Sequence, residues 1–169
     1  MDVLLVDGYN IIGAWDELKR LRDEDLDQAR NLLVEKMAEY GSYRKRRVIV
    51  VFDAYEVKGI ENKQKHFNVE IIFTKEQETA DECIERLIKE LKNVKTKVFV
   101  ATSDFAEQRT IFGQGAYRIS ARELAIEVQN IEHEIEQDIK FHQHQTVRST
   151  IPLEEDIRKL FEDWRRGKK

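Results

Sequence analysis

Residues 1–10 read MDVLLVDGYN, and the apolar run Val3–Val6 inside them ends at the carboxylate of Asp7. A short, continuous run of branched aliphatic residues is typical of a strand that is buried on both faces. The sequence contains four more candidate strands, of which the last is the weakest: 48–52 (VIVVF), 69–73 (VEIIF), 98–101 (VFVA) and 116–119 (AYRI).

Helical patterns separate these runs. They cover residues 26–43, 80–91 and 120–135, and the last begins with Ser120 and Glu123 in the spacing of a capping box. Alternating strands and helices are typical of a parallel sheet with helices on both faces. The sequence therefore predicts an α/β fold of Rossmann-like type with a mainly parallel central sheet.

The length of 169 residues fits one domain with a sizeable core. The polar stretch 141–150 shows neither helical nor strand period, and we expect it to be a loop. Pro152 suits the first turn of a final helix over 153–164, whose apolar residues recur at helical spacing. We expect a domain over 1–140, with the loop and C-terminal helix of 141–169 packing back on it.

Composition excludes several classes of protein. Hydrophobic residues make up 41% and charged residues 37% of the chain, and no apolar run approaches the roughly 20 residues that a bilayer span requires. The first apolar run is too short for a signal peptide and has no basic stretch before it. We expect a cytoplasmic protein without a membrane partner. The single cysteine, Cys83, predicts a buried core thiol and no disulfide-linked partner.

The charges are segregated along the chain, although the net charge is only −4. Acidic residues concentrate in 76–90 and 123–138, whereas basic residues form two compact clusters. These clusters are Arg44, Lys45, Arg46 and Arg47, and Arg165, Arg166, Lys168 and Lys169. Each cluster is either solvated surface or a docking site for RNA phosphates, and the sequence leaves both interpretations open.

Three of the apolar strands lead into an aspartate. Asp7 and Asp53 directly follow their runs, and Asp104 follows the third after two residues. Asp81 belongs to the first turn of the predicted helix 80–91, which Thr79 and Glu82 open as a second capping box. Ligands of open parallel sheets bind beyond the carboxyl ends of the strands. We therefore expect these four carboxylates to converge on one crevice.

Any one of these aspartates could be only a turn residue or a helix cap. Their joint pattern is harder to explain in that way, because carboxylates gathered at one edge repel each other unless a cation neutralises them. Oxygen ligands of this kind suit Mg²⁺ or Mn²⁺, with waters and substrate phosphates as the other ligands.

Other α/β chemistries lack their motifs here. The chain has no G-x-G-x-x-G, no G-x-x-x-x-G-K-[ST] and no G-x-S-x-G, and its four histidines show no zinc spacing with Cys83. These absences argue against a dinucleotide oxidoreductase, a P-loop NTPase and a hydrolase with a nucleophile elbow.

Together, the segment LLVDGYN at 4–10, VFD at 51–53, TAD at 79–81 and ATSD at 101–104 resemble the NYN branch of the PIN-like nucleases. The closest resemblance is to the bacterial YacP-like ribonucleases, over roughly residues 1–140. The resemblance implies a three-layer PIN/NYN sandwich and metal-dependent endoribonuclease activity. It places metal ligands at Asp7, Asp81 and Asp104, with Asp53 beside them. Many relatives carry a glycine soon after Asp53, whereas this chain continues with Ala54 and Tyr55.

The resemblance also implies that Asn10 and Ser103 support the site. Gly8 is expected to let the backbone turn close to the phosphate. Tyr9 either stacks on an RNA base or packs against the following segment, and both interpretations stay open.

The sequence thus predicts an endoribonuclease that cleaves single-stranded RNA through water activated by Mg²⁺ or Mn²⁺, with the ribosome as the expected docking partner and mRNA as the expected substrate. A non-catalytic RNA or ribonucleoprotein binder and a phosphatase of small phosphoesters are the alternatives.

Overall fold

A six-stranded sheet forms the centre of the protein in the computed structural model. The structure describes residues 1–54, 62–66, 68–104, 109, 111 and 113–165, and of residues 62–66 and 144–164 it describes the backbone alone. The strands are β1 (Val3–Asp7), β2 (Arg47–Phe52), β3 (Asn62–His66), β4 (Val69–Phe73), β5 (Val98–Ala101) and β6 (Tyr117–Ile119). The helices are α1 (Gly8–Ala14), α2 (Asp16–Glu24), α3 (Leu26–Arg44), α4 (Ala80–Leu91) and α5 (Ala121–Arg165).

The strand order is β3-β4-β2-β1-β5-β6, in which β3 is antiparallel to β4 and the other five strands are parallel. β1 lies between β2 and β5, and all five of its residues are buried. A strand covered on both faces needs apolar residues throughout, which explains its unbroken aliphatic run. The structure confirms the predicted α/β fold and the mainly parallel sheet.

Helices cover the two faces of the sheet. Val3 and Leu5 of β1 belong to one apolar cluster with Cys83, Leu87 and other residues of α4. Successive side chains of a strand point to opposite faces, so Leu4 points away from α4. Leu4 pairs with Val48 of β2, whose side chain lies against α3 at Gly41. The sheet is thus the middle layer between α4 and α3, and Cys83 is a buried core thiol as predicted.

Side-chain caps define the starts of three helices. Asp25 accepts hydrogen bonds from the backbone N–H groups of Asp27 and Gln28 at the start of α3. Thr79 accepts from the N–H of Glu82, and Ser120 accepts from the N–H of Glu123. Both predicted capping residues, Thr79 and Ser120, therefore act as N-caps.

Two predictions about the C-terminal region are wrong. Residues 141–150 are helical and not a loop, and Pro152 lies within α5 instead of opening a separate helix. No glycine or proline interrupts residues 121–151, so nothing in the local sequence stops a helix once Ser120 has started it. The segment is polar on all faces of the helix, and this absence of an apolar period led to the prediction of a loop.

The chain forms two compact units, Met1–Ile131 and Glu132–Lys169. In the first unit, the indole N–H of Trp15 donates a 2.8 Å hydrogen bond to the carbonyl of Ala121, which ties the α1–α2 junction to the start of α5. The packing of 141–169 on the domain stays a prediction. Across the described ranges, no helix combines the length and hydropathy needed to cross a bilayer.

Gly8 allows α1 to approach β2 closely, and it lies in the first turn of α1. A Cβ atom at this position would lie 2.3 Å from Cε1 and 2.5 Å from Cδ1 of Phe52. Phe52 is itself fixed between two rings, with centroid distances of 5.0 Å to Tyr9 and 5.5 Å to Phe73. The glycine is thus explained by contact with an aromatic ring.

Gly8→Ala is expected to lower the free energy of unfolding by about 1–3 kcal/mol, because Phe52 cannot move without disturbing its neighbours. Gly13→Ala in the same helix is the matched control, since its new Cβ would meet only the flexible end of Arg22 at 3.3 Å. That change is expected to be neutral or to stabilise by up to about 1 kcal/mol. Urea unfolding of both variants checks this, and equal stability of the two would rule out the ring contact as the reason for Gly8.

Candidate active site

The ends of three neighbouring parallel strands bring the predicted acidic residues to one edge of the sheet. Asp7 is the last residue of β1, Asp53 follows the last residue of β2, and Asp104 lies three positions after the end of β5. Asp81 belongs to the first turn of α4. The four carboxylates repel one another. The charges of Asp81, Asp104 and Asp53 raise the pKa of Asp7, and those of Asp104 and Asp53 raise the pKa of Asp81.

Asp7 is the most deeply buried member of this group, which we call the acidic cluster (Asp7, Asp53, Asp81 and Asp104). Its exposed fraction is 8%. Burial, followed by repulsion from Asp81, raises the pKa of Asp7 from the ordinary 3.8 to about 7. The backbone N–H of Asn10 acts in the opposite direction, although the carboxylate does not close a side-chain N-cap bond to α1. The hydrogen bond from Asn10 does not offset burial and repulsion, so the carboxyl of Asp7 resists ionisation.

The pKa of Asp81 is raised by the same two causes, although this side chain is more exposed than Asp7. Desolvation, followed by repulsion from Asp104, raises the pKa of the Asp81 carboxyl above its ordinary value. Glu85, Asp53 and Glu82 add to the effect. Two members of the acidic cluster thus resist ionisation for the same two reasons, low hydration and like charge.

Asn10 and Ser103 connect α1 to the segment after β5. The side-chain oxygen of Asn10 accepts hydrogen bonds from the backbone N–H of Ser103 at 2.7 Å and from its hydroxyl at 2.8 Å. Asp104 follows directly, and its backbone N–H donates to the hydroxyl oxygen of Thr102 at 3.1 Å. These bonds fix the backbone that carries Asp104 relative to the helix that follows Asp7.

Two buried threonines were missed by the sequence analysis. Thr74 and Thr102 are fully buried, and each directly follows a strand, β4 and β5 respectively. The hydroxyl oxygen of Thr74 accepts a 2.9 Å hydrogen bond from the backbone N–H of Ala54, the residue after Asp53. A polar residue directly after an apolar run was the signal that located the aspartates, and it could have located both threonines.

The donor set fits a hard divalent cation. It consists of carboxylate oxygens that repel one another, and such groups gain most from Mg²⁺ or Mn²⁺. Within the ranges that the structure describes, no three His, Cys, Asp or Glu side chains have the spacing to hold one ion together. The fit is therefore to an ion that takes one or two carboxylates from the protein and its other ligands from water and phosphate, as Mg²⁺ commonly does.

Tyr9 is half-buried and packs on other elements of the fold. Its ring lies against Phe52, and its hydroxyl accepts a 2.9 Å hydrogen bond from the guanidinium of Arg30. Tyr9 thus has packing contacts with β2 and α3, and its packing against the segment that directly follows it stays a prediction. Stacking of Tyr9 on an RNA base stays a prediction.

The basic cluster 44–47 lies at the opposite end of the strands from Asp53, as expected, because Arg47 begins β2 and Asp53 follows its last residue. Two of its cations have structural partners. Arg47 forms a two-pronged ion pair with Glu70 at 2.9 and 2.8 Å, and Arg46 donates to the hydroxyl of Tyr40 at 2.8 Å. Arg44 and Lys45 are exposed. In the other cluster Arg165 is exposed, while Arg166, Lys168 and Lys169 lie outside the described residues.

Comparisons with known proteins find one family and its solved structures. A family model described as "YacP-like NYN domain" matches residues 4–166. A Bacillus subtilis (strain 168) protein named "Uncharacterized protein YacP" is 56% identical over 167 residues, which cover 99% of this chain and 98% of that protein. The crystal structure of Rae1 (YacP) from Bacillus subtilis matches with a TM-score of 0.77 and 56% identity, over 99% of this chain and 96% of that chain. A tryptophan-to-leucine mutant of Rae1 matches with a TM-score of 0.76 and 54% identity, over 84% and 83%.

The raised pKa of Asp7 predicts a specific pH dependence of stability without metal. Between about pH 4 and about pH 7 the folded protein holds a proton on Asp7 that the unfolded chain has released, so stability falls as the pH rises through this window. Asp7→Asn removes the effect. The free energy of unfolding of Asp7→Asn should exceed that of wild type by an amount that grows through this window. Above about pH 7 the difference should level off at roughly 2–4 kcal/mol.

Urea unfolding in EDTA at several pH values measures this advantage. Glu24→Gln, at an exposed position of α2, is the control and should track wild type at every pH. An advantage of Asp7→Asn that stays constant across the window would mean that Asp7 titrates as an ordinary carboxyl.

Proposed function

The chain belongs to the YacP-like NYN domain family, and on that basis we propose that it is a metal-dependent endoribonuclease that cleaves single-stranded RNA. Family membership and the YacP and Rae1 relatives support a nuclease-type, RNA-related function. The observation that carries the finer proposal is the acidic cluster, in which Asp7 is buried against three other carboxylates without a neutralising partner among the described contacts.

A purely structural role does not account for this arrangement. Like charges around a buried carboxylate cost stability, and a bound cation would reverse the sign of that effect. Asp7, Asp81 and Asp104 would be the metal ligands, with one or two of these carboxylates on a given Mg²⁺ or Mn²⁺ ion and Asp53 beside them. When bound, such an ion supplies an activated water for attack on the phosphodiester and neutralises the charge that develops on the phosphate oxygens.

The residues around the acidic cluster would act by holding it in place. Asn10 holds Ser103 by two hydrogen bonds, one from its backbone N–H and one from its hydroxyl. Thr74 holds the backbone of the residue after Asp53 by one. Positions held to a few tenths of an ångström are what metal-assisted hydrolysis requires of its ligands. In this scheme the protein provides no covalent nucleophile.

Single-stranded RNA is the preferred substrate because its backbone can bend to reach carboxylates placed at the edge of a sheet. A non-catalytic RNA or ribonucleoprotein binder remains the principal alternative, and a phosphatase of small phosphoesters is another. Comparing cleavage of a labelled RNA with hydrolysis of a generic phosphomonoester separates the enzyme classes. No turnover of either substrate, combined with RNA binding, would support the binder.

Asp7→Asn and Asp81→Asn are each expected to abolish RNA cleavage while the fold is retained. An amide keeps the shape of the carboxylate but has little affinity for a hard cation, and it relieves repulsion, so thermal stability should hold or rise. Cleavage of a labelled RNA with Mg²⁺, Mn²⁺ or EDTA, with Glu24→Gln as the control, measures the effect. Near wild-type, metal-dependent cleavage by either variant would show that its aspartate has been assigned the wrong role.

We further propose that the ribosome presents the RNA, because a chain with net charge −4 and only compact basic clusters can neutralise few phosphates at once. Arg44→Gln with Lys45→Asn is the appropriate test of the first cluster, since Arg46 and Arg47 have structural partners. Asparagine suits position 45, where the backbone is left-handed with φ of 55°. A second variant neutralises the cluster of Arg165, Arg166, Lys168 and Lys169.

Both variants are expected to sediment less with ribosomes than wild type does at low salt. Thermal melts of each variant serve as the folding control. Wild-type protein that stays in the supernatant, or variants that pellet equally well, would contradict the docking proposal.

A further inference from the structure

A stack of three side chains crosses the start of the sheet, at the opposite end of the strands from the acidic cluster. The guanidinium carbon of Arg46 lies 4.5 Å from the ring centroid of Phe99, and the Phe99 ring lies 5.2 Å from that of Tyr117 with an interplanar angle of 29°. Both geometries fall in the favourable range for cation–π and offset stacked contacts. We call these three residues the aromatic stack.

The inner end of the aromatic stack is held firmly. Arg46 donates a 2.8 Å hydrogen bond to the hydroxyl of Tyr40, and Tyr40 is fully buried in α3. Phe99 and Tyr117 are direct partners in the parallel pair of β5 and β6. A stack fixed by a hydrogen bond to a buried tyrosine and by strand pairing keeps its rings in place without a ligand.

The outer end of the aromatic stack is open. Tyr117 is 49% exposed, and it is the first residue of β6, the last strand in the sheet order of the described chain. A tyrosine exposed to this extent leaves part of its side chain accessible to a ligand. The exposed ring is thus available to a flat partner that continues the stack.

The charges nearby favour a polyanion. Arg44 and Lys45 are exposed immediately before Arg46, and Lys97 is exposed two residues before Phe99. Glu70, at this end of the strands, is neutralised by its ion pair with Arg47. Glu127 also lies here and bonds with the hydroxyl of Tyr40, and Asp2 directly precedes β1. Aromatic rings beside cations are the combination by which proteins bind single-stranded nucleic acid, with bases on the rings and phosphates on the cations.

We propose that the aromatic stack is a second RNA-binding surface, on which Tyr117 stacks with an unpaired base outside the cleavage site. The proposal rests on the proposed function, because it takes the partner to be the same single-stranded RNA. Phe99 pairs with Leu4, three residues before Asp7, so the two sites are separated by about 10 Å along the strand direction alone. Leu4 also points away from α4, which carries Asp81, so an RNA must pass around the edge of the sheet to reach both.

Binding of fluorescent oligouridylate to the Asp7→Asn protein in EDTA tests the proposal without cleavage. Adding Tyr117→Ala or Tyr117→Leu is expected to weaken the binding of a long oligomer by roughly 5- to 100-fold. Tyr117→Phe should bind as the parent does, because stacking needs the ring and not the hydroxyl. The dependence of affinity on salt should keep its slope in these variants, whereas Arg44→Gln with Lys45→Asn should lower that slope.

Several results would overturn the proposal. They are unchanged binding by Tyr117→Ala, parent-like binding by Tyr117→Leu, weakening by Tyr117→Phe, or no binding of the long oligomer by the parent. Cleavage assays on proteins that keep Asp7, with and without the Tyr117 substitutions, then distinguish the second RNA-binding surface from the proposed nuclease function. If wild type cleaves RNA and the Tyr117 substitutions do not weaken RNA binding, the second surface alone is refuted. If binding depends on Tyr117 but wild type cleaves no RNA, the nuclease function alone is refuted.

Discussion

The carboxylate of Asp7 is buried at the end of the central strand, where Asp81, Asp104 and Asp53 all repel it. This repulsion between like charges sets the requirements for the surrounding structure. The backbone on each side of the edge must hold the acids in place although they repel one another. It does so with apolar packing beneath the edge and with hydrogen bonds from neutral groups above it.

The neutral groups are well suited to this task. Asn10 and Thr74 fix the backbone beside Asp104 and Asp53 without adding charge, so they leave the negative potential of the edge intact. Gly8 lets α1 begin directly after Asp7 while the ring of Phe52 fills the space beneath it. Positioning by amides, hydroxyls and a close aromatic contact leaves the acidic cluster ready for a cation, which is what the proposed nuclease chemistry needs.

The positive charge of the protein is organised differently. Arg46 and Arg47 are engaged by Tyr40 and Glu70, so the basic cluster offers fewer cations to RNA than its sequence suggests. Arg46 gains another role, since its guanidinium forms the inner end of the aromatic stack. The two proposed RNA contacts thus lie at opposite ends of the strands, one built on carboxylates and the other on stacked rings.

The sequence by itself determined the parallel sheet and the candidate site residues, because buried strands leave unbroken aliphatic runs and a polar residue after such a run marks a strand end. The same reasoning missed α1, α2 and β3, and it mistook residues 141–150 for a loop, since local polarity does not distinguish a solvated helix from a turn. Only the tertiary structure decided that Gly8 faces Phe52, that Asp7 is buried beside Asp81, and that Arg46 lies on Phe99. Those contacts join residues far apart in the chain, and their burial and repulsion depend on distances that no local pattern encodes.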